Sequence, residues 1–151
     1  MKFQPDTPEG VNLITRQEPG RIWVGSTPIS HSVLVPWHGA VLPWRADEND
    51  ASTLCAQPEQ LTAAHFQRTV AMGPELVIFG SGARLRFVQP ALLRALMAAR
   101  IGIETMDTPA ACRTYNVLVS EGRRVLAALV VASPVASPVA GTVTSQTAPP
   151  A

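Results

Sequence analysis

Charge is scarce in this chain of 151 residues. Asp, Glu, Lys and Arg make up 15% of it, against a typical ~25%, and 12 basic residues against 11 acidic ones leave a formal net charge of +1. A nucleic-acid binder carries a basic face or stripe, and without such an excess nucleic acid is not an expected partner. Cysteine is scarcer still. Cys55 and Cys112 are too few for a disulfide scaffold. Cys55 and the widely spaced His31, His38 and His65 supply no ligand pair at zinc spacing, so no metal site is expected. Within the uncharged stretch from Val125 to Ala151 only Val125 to Ala132 is continuously apolar, with Pro134 and Pro138 close behind. A spanning helix needs ~20 such residues, so membrane insertion is not expected. The opening Met1-Lys2-Phe3-Gln4-Pro5-Asp6 lacks the charged-then-apolar order of a signal peptide, which places the expected location in the cytoplasm.

What the chain does have is a 46% hydrophobic content, enough for one real core. It divides into three regions. Residues 1–9 are a flexible polar arm, and residues 10–131 carry the hydrophobic periodicity of a domain. Residues 132–151 form a Pro/Ala/Ser/Val-rich tail that holds four of the 14 prolines and repeats Ala-Ser-Pro-Val. Such a composition buries too little apolar surface to offset its ordering entropy, so the tail is expected to be disordered.

Within the domain, the short runs Val11–Ile14, Arg21–Val24 and Ser32–Val35 are separated by Pro19-Gly20 and Gly25-Ser26-Thr27-Pro28, which predicts short strands joined by turns. Residues 37–52, with Pro43 and the acidic Asp47, Glu48 and Asp50, read as an exposed connection. Pro58 and Glu59 predict a helix start, and Gly73-Pro74 its end. Glu75–Phe79 reads as a buried strand. The alternating Arg84-Leu85-Arg86-Phe87-Val88 reads as an extended segment with one face covered. Pro90 opens a helix bearing Leu92, Leu93, Leu96 and Met97, and Gly102 ends it. Ile101–Met106 is a further strand, and Thr108-Pro109 form the cap and first turn of another helix. Ala111, Tyr115 and Leu118 share one of its faces, and Arg113, Asn116 and Ser120 another. Glu121-Gly122 stops it, and Val125–Val131 returns as a buried strand. Strand alternating with helix implies an α/β layered fold, and periodicity alone points to a mainly parallel sheet.

Three segments carry a family resemblance: Glu75-Leu-Val-Ile-Phe-Gly-Ser-Gly-Ala-Arg-Leu-Arg-Phe87, Ile103-Glu-Thr-Met-Asp-Thr-Pro-Ala-Ala-Cys-Arg-Thr-Tyr-Asn-Val-Leu118 and Glu121-Gly-Arg-Arg-Val125. Together they resemble the Mth938-like (DUF498) domain, whose eukaryotic relatives include a mitochondrial complex I assembly factor. The resemblance implies a three-layer α/β fold: a central mixed five-stranded sheet with one central strand antiparallel to the rest, helices packed on it, and a small N-terminal β meander. It carries over no catalytic residues and no cofactor, and the tail lies outside its pattern.

The residues themselves offer one candidate site. Gly80-Ser81-Gly82 follows a buried strand, where glycines can present successive backbone N–H groups to an anion. Arg84 and Arg86 lie just beyond. If the junction Asp107–Arg113 sits at the same sheet end, a helix N-terminus would add donors, and Arg113 and Asn116 would complete a pocket for a phosphate or carboxylate. The competing reading is a tight turn with arginines covering the sheet. The turn lacks the third glycine of a dinucleotide fingerprint and the frame of a nucleophile elbow. Cys112 reads as a small buried hydrophobe rather than a reactive thiol, because no His partner is near it. The tryptophans Trp23, Trp37 and Trp44 read as core or interface packing, with Trp37 and Trp44 flanking the exposed connection as possible anchors for a partner. The leading expectation is a non-enzymatic binding or assembly module with a protein partner. The alternative is a binder of, or enzyme acting on, a small anion at Gly80-Ser81-Gly82.

Overall fold

The computed structural model describes residues 10–132; the arm 1–9 and the tail beyond Ala132 lie outside the described residues. The chain begins with an antiparallel meander of β1 (Ile14–Glu18), β2 (Arg21–Val24) and β3 (Thr27–Ile29), in that spatial order. Its strands are short because turn residues interrupt them, and its inward residues Ile14, Ile22 and Ile29 are buried. On its outer side the guanidinium groups of Arg16 and Arg21 lie 4.7 Å and 5.7 Å from the Trp23 ring centre.

The central sheet contains β4 (Val33–Pro36), β5 (Leu42–Pro43), β6 (Leu76–Gly80), β7 (Gly102–Met106) and β8 (Val125–Leu129) in the order β5-β4-β8-β6-β7. Strands β6, β7 and β8 are mutually parallel, and β4 is antiparallel to both of its neighbours. The mainly parallel sheet expected from periodicity is therefore corrected to a mixed one with a single opposed strand, as the family resemblance implied. Periodicity reports burial on two faces, and it carries no strand direction.

Strand β8 is buried along its whole length because both faces of the sheet are covered. Val125, Ala127, Leu129 and Val131 enter one core, which also holds Ile78, Val33 and Val35, the meander isoleucines, and Ala111, Cys112, Tyr115 and Val119 of α3 (Thr108–Ser120). Leu126, Ala128 and Val130 enter the opposite core with Leu34, Val77 and Phe79, Phe66 of α1 (Ala63–Ala71) and Leu96 of α2 (Arg94–Ala98). Three layers result: the meander and α3, then the sheet, then α1 and α2. The buried Tyr115 hydroxyl donates to the Asn12 or Pro36 carbonyl, 2.8 Å and 2.9 Å away, and burial pushes its pKa up. Trp44 is fully buried, edge-on to His65, Phe66 and Phe79, and Trp37 packs half-buried against the first core. Neither tryptophan is left as an exposed anchor.

Several local expectations change. Pro58–Gln60 forms only a 3-10 turn, and α1 starts later, after Thr62. Pro90–Leu93 is likewise 3-10, with α-helix only from Arg94, and Met97 is exposed. That helix ends at Ala98, the chain turns through Arg100 with a positive φ of 59°, and Gly102 already belongs to β7. The cap of α3 is Asp107, whose carboxylate accepts from the Ala110 N–H, which frees Thr108 for another role. Residues 84–88 form no strand.

Gly80 is tightly packed where β6 meets α3 and β8. A Cβ there would meet Leu129 Cδ2 at 2.9 Å and Ala111 Cβ and Thr108 Cα at 3.0 Å. Gly80→Ala is expected to lower stability by about 2 kcal/mol through overpacking, read as a shift in the urea midpoint. A second expectation concerns pH. The Thr62 N–H donates to His65 Nδ1, which leaves the ring proton on Nε2 for donation to the Thr53 carbonyl. Burial chiefly, helped by Arg68, holds the His65 pKa below its usual 6.5. The unfolded chain binds that proton more readily, so the stability contributed by neutral His65 is complete above about pH 6.5 and is lost as pH falls toward the folded value. Asp50 and Glu75, held below 3.8 and 4.5 by hydrogen bonds, act only at lower pH. Thermal melts between about pH 7.5 and 5 should fall for the native chain and stay flatter for His65→Gln.

Candidate functional site

The two strand-to-helix junctions do meet at one end of the sheet. The Thr108 hydroxyl donates to the Val130 carbonyl at 2.8 Å and accepts from the Gly82 N–H at 2.9 Å, while the Thr108 N–H donates to the Gly82 carbonyl at 2.8 Å. Nearby, the Ser81 N–H donates to the Met106 carbonyl and the Val130 N–H to the Gly80 carbonyl. Gly82 has φ of +107°, a conformation that favours glycine. The turn is therefore a knot between the ends of β6, β7 and β8, and its Ser81 and Gly82 N–H donors are engaged within the protein rather than aimed at a ligand.

Beyond the knot the chain loops outward. The Ser81 hydroxyl donates to the Arg84 carbonyl at 2.7 Å and accepts from the Arg86 N–H at 2.9 Å. These local bonds close a loop in place of a strand ladder, which explains why the alternation of residues 84–88 misleads. Two of its apolar members turn away from the core, Leu85 being 51% and Phe87 78% exposed, while Val88 packs partly against the second core. The opposite wall is the Pro58–Gln60 turn, braced by Gln60 Oε1, which accepts from the Ala56 and Gln57 N–H groups. Arg86 pairs with Glu59 across the gap. Two adjoining hollows result. One of about 240 Å³ is lined by Gln57, Pro58, Ser81, Gly82, Ala83, Arg84 and Arg86. The other, of about 400 Å³, is lined by Pro58, Glu59, Arg84, Leu85, Arg86 and Phe87.

Arg113 and Asn116 take no part in this cleft. They belong to α3, which packs on the sheet face opposite α1 and α2. Asn116 is committed to the meander: its amide oxygen accepts from the Ile14 N–H at 2.9 Å and its amide nitrogen donates to the Ile14 carbonyl at 2.7 Å. Arg113 is exposed on that helix. Of the residues expected to form one pocket, Ser81, Gly82, Arg84 and Arg86 come together, Gly80 is packed beneath them, and Arg113 and Asn116 lie elsewhere.

Burial raises the Cys112 thiol to about 12 against the weaker pull of Arg113, and raises Cys55 to about 11, so both are inert core groups. Among the described residues no group of three or more His, Cys, Asp or Glu side chains is placed to hold a metal ion, and no helix is long and apolar enough to cross a membrane. The residues that sequence reasoning missed are Leu85 and Phe87 as exposed groups and Pro58 and Glu59 as the facing wall. No local pattern signals them, because the alternation of residues 84–88 reads as a half-covered strand and Pro58-Glu59 as a helix start.

A three-layer α/β domain with one opposed sheet strand and an N-terminal meander defines the class of protein. Residues 14–130 match the family described as "Protein of unknown function (DUF498/DUF598)", and the chain belongs to that family. It is similar to a crystal structure from Bordetella parapertussis, 35% identical with a TM-score of 0.71 over 81% of this chain and 98% of that one. It is also similar to a Bordetella pertussis solution structure described as a Mth938-like domain, 29% identical with a TM-score of 0.72 over 91% of this chain and 98% of that one. Among curated relatives, NADH dehydrogenase [ubiquinone] 1 alpha subcomplex assembly factor 3 of Mus musculus is 28% identical over 130 residues, covering 85% of this chain and 64% of the relative. The chain thus spans less than two thirds of the length of that relative.

The Thr108 hydroxyl holds Gly82, one of the residues that line the cleft. Thr108→Val removes the partner of two buried backbone groups and should lower stability by about 2 kcal/mol, whereas Thr108→Ser keeps the hydroxyl and should lose less than half of that. Urea midpoints of the two variants, read beside amide exchange at Gly82 and Val130, check this.

Proposed function

We propose that this chain is a non-enzymatic protein-binding module that acts in the cytoplasm in the assembly of a larger complex, such as a respiratory one, like the relatives named as an NADH dehydrogenase [ubiquinone] 1 alpha subcomplex assembly factor. One observation carries the reading: an exposed Leu85 and Phe87 stand on an arginine-bearing loop beside an open cleft. Large apolar side chains grouped in this way mark interaction surfaces. Chemistry finds little support there. The cleft is lined by no cysteine or histidine, and the thiols of Cys55 and Cys112 are buried elsewhere. The alternative, a small anion or its enzyme at Gly80-Ser81-Gly82, retains Arg84 and Arg86 but loses the free N–H donors, Arg113 and Asn116.

Tagged chain recovered from its own cells should bring down a protein in near-stoichiometric amount. Inorganic phosphate should leave the amide resonances of residues 80–86 in place. Recovery of a small anionic metabolite without a protein, together with phosphate-dependent shifts at those amides, would overturn the reading in favour of the anion site.

A further inference from the structure

The chemistry of the cleft specifies its occupant further, on the basis that the protein-binding reading holds. Between Glu75 and Glu104 the sequence contains no Asp or Glu, yet it carries Arg84, Arg86, Arg94 and Arg100. Glu59 supplies the carboxylate in the cleft lining and pairs with Arg86. Arg84 makes no ion pair among the described residues. Arginine and aromatic side chains standing together are the residue types that dominate binding energy at interfaces. A guanidinium binds carboxylate by charge-assisted, often two-pronged hydrogen bonds.

We propose that the Arg84–Phe87 loop and the Pro58–Glu59 wall form a docking groove for an acidic segment of a partner protein. Carboxylates of that segment pair with Arg84 and Arg86, and an apolar side chain between them seats against Leu85 and Phe87. Glu59 is the resident stand-in: it holds Arg86 in place and must be displaced by the incoming carboxylate. Charge complementarity selects this occupant over the chain's own tail, because residues 133–151 contain no carboxylate side chain. It also makes the groove self-guarded. Neutral or basic segments would leave Arg84 without a counter-charge and would gain nothing from releasing Arg86.

The full chain is used to select from a random-peptide display library, and the enriched peptides are titrated by fluorescence anisotropy against the native chain and the exposed-site variants Arg84→Ala, Arg86→Ala, Phe87→Ala and Glu59→Gln. Unchanged melting points verify that the variants fold. Enriched sequences should pair two or more acidic residues with an aliphatic or aromatic one. The first three variants should each weaken binding by roughly tenfold, and Glu59→Gln should tighten it by about threefold by removing the competitor. The proposal is overturned by no enrichment, by enrichment of neutral or basic sequences, or by equal binding to all variants. It is also overturned if phosphatidylglycerol vesicles or a second copy of the chain prove to be what Phe87→Ala releases. If the protein captured from cells binds these variants as well as the native chain, the groove fails while the protein-binding reading stands. If no protein is captured, that reading fails first.

Discussion

The structure turns on the hydroxyl of Thr108, which sits where three strand ends converge. It accepts the Gly82 N–H after β6 and donates to the Val130 carbonyl after β8, while its own backbone begins α3 just after β7. A buried backbone group left without a partner loses its hydration with no return, so a connection that pairs two of them at once constrains both strand ends. The neighbouring residue identities follow. Gly80 must lack a side chain because Thr108 Cα lies 3.0 Å from where a Cβ would be, and Gly82 must accept a left-handed φ of +107° to present its N–H and carbonyl to the same threonine. The glycines resemble an anion-binding loop because both uses need a bare backbone turned toward a helix start. Here the helix start itself is the guest.

The same knot determines where the exposed loop can go. With Gly82 held against Thr108, the chain must leave the sheet toward the α1 and α2 layer, and Ser81 bends it by bonding Arg84 and Arg86 locally. The sheet then separates functions by face. On one side α3 closes over the meander, with Asn116 bonded to both backbone groups of Ile14 in β1 and the Tyr115 hydroxyl to the carbonyl of Asn12 before β1 or Pro36 in β4. On the other side the Pro58–Gln60 turn faces the loop, braced by Gln60 Oε1, which accepts from the Ala56 and Gln57 N–H groups. The rigid elements thus frame a segment that is itself irregular, an arrangement common where a scaffold presents a binding loop.

Much of the fold was legible in the sequence for a definite reason. Strands β6 and β8 read correctly because burial on both faces leaves continuous apolar runs, and α3 read correctly because Ala111 and Tyr115 recur at helical spacing. That one strand runs opposite to the rest came only with the family resemblance, and the strand order and the identity of β4 as that strand came only with the structure, since neither leaves a mark on hydrophobic pattern. Two site errors have specific causes. Arg84 to Val88 alternates like a half-covered strand, but alternation needs a neighbouring strand to become a ladder, and Ser81 supplies the bonds instead. Asn116 shares a helix face with Arg113 in projection, yet its amide satisfies both backbone groups of Ile14 across more than a hundred residues of sequence, a pairing that no local window reveals.

Scarcity of charge acquires a different meaning once the acids and bases are placed. A net charge of +1 describes a sum, while the sequence between Glu75 and Glu104 contributes only positive charge and the acids Asp47, Glu48 and Asp50 gather on a separate loop. At an exposed surface, charges more than about 8 Å apart are largely screened at physiological salt, so an acid must stand close to Arg84 to neutralise it, and among the described residues none pairs with it. In a chain of ordinary charge density, carboxylates would be interspersed among such arginines and the local field would be weak. Here few are present to do so, and Glu59 is the residue that intervenes in the cleft. Low overall charge therefore leaves the local potential at the loop less compensated than the net charge implies. That potential lies beside Phe87, the most exposed of the large apolar side chains among the described residues. A surface of this kind discriminates by charge first and by apolar fit second, which suits the recognition of an acidic segment proposed for it.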